Sequence, residues 1–314
     1  MFKYQAEHNP LYKRFLSLIK CAPSKISDIN DIPLLPISCF KNHTIKSGSE
    51  WNTEQLFLSS GTMQDGMRSK HHIKSLEWYH QICASIYKSR MANHVEDEII
   101  ALLPSYLENG NSSLVEMVNY LQRISQTPKP FTFLYNLDEL HDRVSSSLEE
   151  GNSVLLIGVT FALLDFSEMY QTNNAKLSIL YTGGMKNRRE ELEPDELRHK
   201  LKDAFPQSRI YSEYGMTELQ SQAYTDKDGL FSMSPTLRIL IKEVQDPFLN
   251  RKPGKAGQVG IIDLANIDTL SFILSDDLGI KYDNDTFHIL GRLSNSDRRG
   301  CHLLYEGNNN YTSD

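Results

Sequence analysis

The sequence predicts an α/β protein in which a mostly parallel, helix-covered sheet is joined to a smaller β-rich subdomain. Three observations lead there. Short apolar runs at Ile99–Leu103, Val154–Ile157, Leu177–Tyr181 and Arg209–Tyr211 are each bounded by Ser, Gly, Pro or Thr, as buried strands are. Helical patterns separate these runs, and such alternation gives a parallel sheet with helices on its faces. Beyond about Asp226 the helical patterns stop and β-rich segments succeed one another.

Composition agrees with a folded core. The 314 residues are 39% hydrophobic, 10% aromatic and 23% charged, which excludes general disorder. Lys and Arg total 33 against 40 Asp and Glu, a net charge of −7. An acidic chain is a poor coating for nucleic acid or anionic lipid, so no nucleic-acid partner is expected. The longest apolar stretch, Val154–Phe166, is interrupted by Gly158, Thr160 and Asp165. It falls short of the roughly 20 residues that cross a bilayer, so no membrane span is expected. The N-terminus carries no apolar signal core. The four cysteines, Cys21, Cys39, Cys83 and Cys301, show no C-x-x-C pair or metal-like spacing. A soluble, reduced, cytoplasmic protein is the expectation.

Taken in order, the first helical face is Leu76, Tyr79, Ile82, Cys83, Ile86 and Tyr87, and the second is Leu114, Val118, Leu121 and Ile124. Leu137, Leu140, Val144 and Leu148 mark a third. Pro194 opens a fourth, which continues through Leu197, Leu201, Ala204 and Phe205. The β-rich part comprises Leu237–Val244, Val259–Leu264, Ser271–Leu274 and a hairpin over Lys281–His288, punctuated by Asp246-Pro247 and Pro253-Gly254. Residues 1–225 are read as the α/β core and 226–314 as the β-rich subdomain, ending in a polar tail from Glu306. Ligands on parallel sheets bind beyond the carboxyl ends of the strands, and the motifs lie there.

Ser59-Ser60-Gly61-Thr62 leaves an apolar run and enters a polar segment with Arg68 and Lys70. Hydroxyls and free backbone N–H groups suit phosphate oxygens, although an ordinary Ser/Gly turn has the same composition. Gly183-Gly184 follows the strand ending at Tyr181 and lets a flat ligand approach the backbone. A plain Gly-Gly turn fits equally well. Tyr214-Gly215-Met216-Thr217-Glu218 is the most specific run: a ring to stack on a base, a hydroxyl for phosphate and a carboxylate for Mg²⁺. Asp263-Leu264-Ala265-Asn266, Asp277 and Gly291-Arg292 come later; an Asp can take ribose hydroxyls and an Arg can pair with phosphate. Each also suits a solvated turn.

In this order the motifs resemble the adenylate-forming (acyl/aryl-CoA ligase, luciferase) superfamily. Phe40-Lys41, Ser69-Lys70-His71, Asp263–Asn266 and above all Arg299-Gly300-Cys301 resemble its acyl-protein synthetases, the fatty-acid-activating component of bacterial luminescence. The resemblance runs from about Ile32 to Leu304. It implies the large domain of adenylate-forming enzymes, and activation of a carboxylic acid, a fatty acid in this family, by ATP to acyl-AMP and pyrophosphate. Ser59, Ser60, Gly61 and Thr62 would hold phosphates, and Gly183, Gly184 and Tyr214, with Gly215, the adenine. Thr217 would contact phosphate, Glu218 the Mg²⁺, Asp277 the ribose, and Arg292 phosphate or ribose. Phe161, following a predicted strand, is placed near the acyl group, with a helix-core phenylalanine as the alternative.

Two departures shape the expectation. Where the superfamily continues Thr-Gly, this chain has Met63-Gln64-Asp65, and a carboxylate beside a triphosphate is unfavourable unless it faces away or meets a metal. The mobile C-terminal lid of most superfamily members is expected to be absent, since only 14 of the 314 residues follow Gly300. Acyl-protein synthetases also end near this point. Their cysteine in the Arg-Gly-Cys context accepts the acyl group as a thioester, which makes Cys301 the candidate nucleophile. Arg298, Arg299 and His302 beside it would raise its thiolate fraction. Opening a buried strand is its alternative role; Cys21, Cys39 and Cys83 read as structural. His71 either lines the nucleotide segment or lies on the surface. The expected partner is a protein acyl acceptor such as a reductase or carrier. The rivals are an acid–thiol ligase delivering to CoA or a carrier protein, and a catalytically silent nucleotide- or acyl-binding subunit of a larger assembly.

Overall fold

The computed structural model describes residues 1–59, 67–103, 111–125, 131–183, 192–226 and 228–293. Two short helices, α1 (Phe2–His8) and α2 (Pro10–Leu18), open the chain, followed by β1 (Leu35–Pro36) and α3 (Cys39–Asn42). Strands β2 (Gln55–Leu58) and β3 (Lys70–Ile73) form a separate antiparallel pair in which Leu58 faces Lys70. Next come α4 (Leu76–Arg90), β4 (Glu98–Leu102), α5 (Ser113–Ile124), β5 (Phe131–Phe133), α6 (Leu137–Glu149) and β6 (Val154–Val159). Helix α7 (Thr160–Met169), β7 (Leu177–Thr182), α8 (Pro194–Ala204) and β8 (Arg209–Tyr214) complete the alternating part. The remainder is all β: β9 (Ala223–Thr225), β10 (Phe231–Ser232), β11 (Leu237–Lys242), β12 (Ala256–Asp263), β13 (Phe272–Lys281) and β14 (Thr286–Arg292).

The helices begin where their caps dictate. The Ser75 side chain accepts from Trp78 N at 3.2 Å, Ser112 from Val115 N at 3.4 Å and Asn136 from Glu139 N at 3.1 Å. Proline occupies the first turn of α8, where its missing N–H costs nothing. The interrupted apolar stretch from Val154 resolves into a wholly buried strand that turns straight into a mostly buried helix. None of the described helices is long and apolar enough to cross a membrane.

One sheet runs through both kinds of structure in the order β11-β12-β13-β14-β10-β9-β8-β7-β6-β4-β5, with β1 paired to β13. Strands β5, β4, β6, β7 and β8 are parallel; from β9 onward along this path the pairings are antiparallel. The strand order reverses between β4 and β6, which makes a crevice beyond their carboxyl ends. The apolar core divides accordingly. One cluster lies around the parallel strands and α4 to α8. The other joins the antiparallel strands to Phe2, Tyr12, Leu16, Leu34 and Phe40, so the N-terminal segment packs with the C-terminal half.

Candidate functional site

The carboxyl ends of β7 and β8 lie side by side, with Thr182 opposite Glu213 in register. Gly183 leaves β7 with φ +69°, a conformation glycine adopts without cost, and its carbonyl accepts the Thr160 hydroxyl at 2.6 Å. That bond ties the exit of β7 to the first turn of α7, where Phe161 is 2% exposed in the core. Gly215 follows Tyr214 because a Cβ at 215 would collide with the Glu213 carboxyl.

Tyr214 packs edge-on against Phe231 and Phe287 at centroid distances of 5.9 and 5.8 Å. Its hydroxyl donates to Asp277 at 2.8 Å. Asp277 pairs in register with Arg292, whose Nε lies 3.7 Å from the second carboxyl oxygen. Burial pushes the Asp277 carboxyl above its ordinary range, against the pull of Arg292 and Tyr214. The Arg292 side chain is 88% exposed, so most of the guanidinium is available to an anion.

The segment after Gly215 is fastened from both sides. His71 is wholly buried, contrary to a surface position; in the alternation along β3 it shares the inner face with Ile73. Its Nδ1 donates to Thr217 O at 2.7 Å and its Nε2 lies 3.1 Å from the Thr269 hydroxyl. Burial lowers its pKa to about 4, so the ring is neutral near pH 7. Asn266 Nδ2 donates to Glu218 O at 2.8 Å. Asp263 is neither a solvated turn nor free for ribose. It is 0% exposed and accepts from Gln220 N (2.8 Å), Ser221 N (3.0 Å), Ser221 Oγ (2.6 Å) and Ala265 N (3.0 Å).

Ser59 meets this segment through Ser69. Ser59 N donates to Ser69 O at 3.1 Å, and Ser69 N to Ser59 Oγ at 2.9 Å. The Arg68 guanidinium caps the Ser59 carbonyl. The Ser69 side chain then hydrogen-bonds the Glu218 carboxyl, which is 5% exposed and pushed upward by burial. A desolvated carboxylate held by one hydroxyl and its own backbone N–H retains lone pairs for a cation, and Mg²⁺ commonly takes one or two carboxylates beside substrate phosphates. Glu218 therefore fits a single protein ligand to Mg²⁺. No group of three or more His, Cys, Asp or Glu that could hold a metal occurs among the described residues.

The structure thus brings Ser59, Gly183, Tyr214, Gly215, Thr217, Glu218, Asp277 and Arg292 to one edge, where β8 gives way to the antiparallel strands. Ser60, Gly61, Thr62, the Met63-Gln64-Asp65 departure, Gly184 and Cys301 with its basic neighbours lie outside the described residues. Of the anchors, Ser69, Asn266 and Thr269 have no individual role in the sequence reading, and His71 and Asp263 have different ones, a nucleotide lining or surface position and a ribose ligand or solvated turn. The Ser69-Lys70-His71 and Asp263–Asn266 motifs mark four of the five, and the alternation of Lys70, His71, His72 and Ile73 is the local signal that His71 faces inward.

Known proteins share this architecture. The family model described as "Acyl-protein synthetase, LuxE" matches residues 1–308. A long-chain-fatty-acid–luciferin-component ligase of Vibrio harveyi is 23% identical over 332 residues, covering 96% of this chain and 84% of that protein. The structure of a 2-hydroxyisobutyryl-CoA ligase with 2-HIB-AMP and CoA matches with TM-score 0.71 at 13% identity, over 93% of this chain and 66% of that one. An ATP-bound RpMatB-BxBclM chimera matches with TM-score 0.58 at 14% identity, over 78% of this chain, which spans about half (49%) of its length. The fold is that of adenylate-forming ligases.

Proposed function

The chain belongs to the acyl-protein synthetase family, and we propose that it activates a carboxylic acid with ATP and passes the acyl group to a protein thiol. A fatty acid is the substrate class, on the pattern of the Vibrio harveyi ligase. The observation that carries this reading is the bridge from Ser59 through Ser69 to Glu218, which joins two sequence motifs 159 residues apart at the carboxyl edge of the sheet.

In the first step a carboxylate oxygen of the acid attacks the α-phosphorus, forming the acyl–phosphate bond and releasing pyrophosphate. Ser59, with Ser60, Gly61 and Thr62, holds phosphate oxygens, and the Thr217 hydroxyl takes another. Adenine lies against Gly183, Gly184 and the Tyr214-Gly215 backbone; the Tyr214 ring, read from sequence as a stacking face, is instead buried against Phe231 and Phe287. Asp277 takes the ribose hydroxyls, its position set by Tyr214, and Arg292 pairs with phosphate or ribose. When bound, Mg²⁺ on Glu218 neutralises charge on the phosphates, and donors fixed in advance are worth most where charge develops. Phe161 stands at the start of the helix leaving β6, beside the reversal in strand order, which supports placing the acyl group there.

In the second step the Cys301 thiolate attacks the acyl carbonyl, AMP leaves, and the thiol proton passes to solvent. A protein acceptor then takes the acyl group from the thioester. Incubation with ATP and labelled fatty acid is expected to leave a protein-bound label that neutral hydroxylamine releases. Cys301→Ser abolishes the label and preserves pyrophosphate exchange. Full labelling of the serine variant contradicts the assignment, and label appearing only on added CoA favours the acid–thiol ligase instead.

A further inference from the structure

Glu213 immediately precedes the Tyr214–Glu218 run, and no role above uses it. Its neighbours across the sheet are Thr182 on β7 and Tyr224 on β9. The residue is 7% exposed. One carboxyl oxygen accepts the Thr182 hydroxyl, and the other fills the space a side chain at 215 would need. From α4, Tyr79 and Cys83 face it, and Tyr224 does so from β9. Burial raises the pKa of all three of these groups, Cys83 to about 12, so they stay neutral beside it, and a phenol or thiol supplies no positive charge in any case. Among the described residues no Lys, Arg or His pairs with Glu213, and burial pushes its carboxyl up to about 7.

An acid buried without a cation is costly to ionise, and a glutamine of the same shape avoids that cost. What distinguishes this position is what it joins. The Thr182 hydroxyl belongs to the last residue of β7, directly before Gly183, and Glu213 stands directly before Tyr214-Gly215. The same exit of β7 is tied by Thr160 to the start of α7, at 2.6 Å from the Gly183 carbonyl. We propose that Glu213 is a positioning residue that locks the carboxyl ends of β7 and β8 together, so that Thr182-Gly183 and Tyr214-Gly215 present one preset surface to the nucleotide. The inference rests on the nucleotide reading given above for that edge. Its consequence is a pH response: an ionised Glu213 sets a negative charge beside the place of an anionic ligand, so nucleotide binding weakens as pH rises through the carboxyl's titration.

The test uses full-length protein and Glu213→Ala, Glu213→Gln, Thr182→Val and the Glu213→Ala/Thr182→Val double variant. Amide hydrogen exchange without ligand is measured over 182–183 and 214–217, and ATP affinity is measured by calorimetry from pH 6 to 8.5. Losing the bridge is expected to speed exchange in both segments and weaken ATP binding roughly tenfold, the scale of one hydrogen bond. The double variant is expected to match the single variants, because one interaction has been removed. Glu213→Gln keeps the acceptor, restores affinity to within about twofold, and removes the alkaline weakening seen in wild type. Should Glu213→Ala fail to fold, the glutamine variant decides the matter: superimposable pH profiles of wild type and Glu213→Gln overturn the proposal. So does faster exchange confined to one segment, or additive losses in the double variant. Wild-type protein that binds no ATP at any pH overturns the nucleotide reading itself, a separate failure visible before any variant is compared.

Discussion

The parallel and antiparallel halves of the sheet are held together by different means. Around the parallel strands the interior is mainly apolar, with its buried polar groups in small local clusters such as Glu98 with Arg143 and Ser147; every residue of β6 is buried, and α7 buries most of its length. The antiparallel half has an apolar core too, but a buried polar network runs through it. Gln5 Nε2 donates to Asn266 O at 2.9 Å and Gln5 Oε1 accepts from Ser271 N at 2.9 Å. Asn9 reaches Ser47 Oγ at 3.0 Å and Thr269 O at 3.1 Å. Asn266, Thr269 and Asp263 then fasten the segment carrying Thr217 and Glu218. Apolar burial is non-directional and tolerates small shifts, whereas buried hydrogen bonds fix orientation. The segment carrying Thr217 and Glu218 is therefore positioned by the second half while its strand belongs to the first.

The sharpest way to break this comparison is to remove one anchor from each half. Asp263→Ala leaves three backbone N–H groups and the Ser221 hydroxyl without their acceptor, and is expected to cost about 4 kcal/mol or more. Leu156→Ala, at a fully buried position in β6, is expected to cost about 3 kcal/mol through the cavity it leaves. Denaturant unfolding measures both. ATP titration of the fraction that remains folded separates them: affinity falls in the Asp263 variant and holds in the Leu156 variant. Equal affinities in the two variants would remove the distinction between the halves.

A gentler probe is acid. His71 has its pKa lowered to about 4 in the fold against an ordinary 6.5, so the unfolded chain binds the extra proton first. Its contribution to stability is complete above pH 6.5 and is lost as pH falls from 6.5 to about 4. The loss amounts to at most about 3 kcal/mol. In His71→Gln that acid-side slope should flatten, with stability at pH 8 changed less than at pH 5. A slope unaltered by the substitution would assign acid sensitivity to other groups and leave His71 as packing.

The same difference decides how much could be read from sequence. The parallel half was legible because its strands are short apolar runs and its helices repeat at 3.6-residue spacing; the observed β4, β6, β7 and β8 start at or one residue before the expected positions. Helices α1 and α2 carried weak signals: they are short, and Gln5 of α1 and the capping Asn9 are polar residues buried among apolar ones. Strand β13 extends to Lys281, past the apolar run ending at Leu274; its second part carries Asp276 and Asp277, which interrupt the apolar pattern. The Tyr214–Glu218 run stood out locally. Its pairings with the anchors did not: His71 and Thr217 are 146 residues apart, and Asn266 and Glu218 are 48 apart. Pairings at that distance leave no periodicity for a single sequence to display.

The central claim, that this edge of the sheet activates an acid with ATP, is tested most directly by exchange of labelled pyrophosphate into ATP across a panel of carboxylic acids. Wild-type protein is expected to catalyse exchange only when a fatty acid and Mg²⁺ are present. Glu218→Gln is expected to reduce it by roughly a hundredfold or more, the scale of losing one transition-state charge stabiliser, with an unchanged melting temperature. Exchange at the wild-type rate in Glu218→Gln, or none in wild type with any acid, would contradict the account.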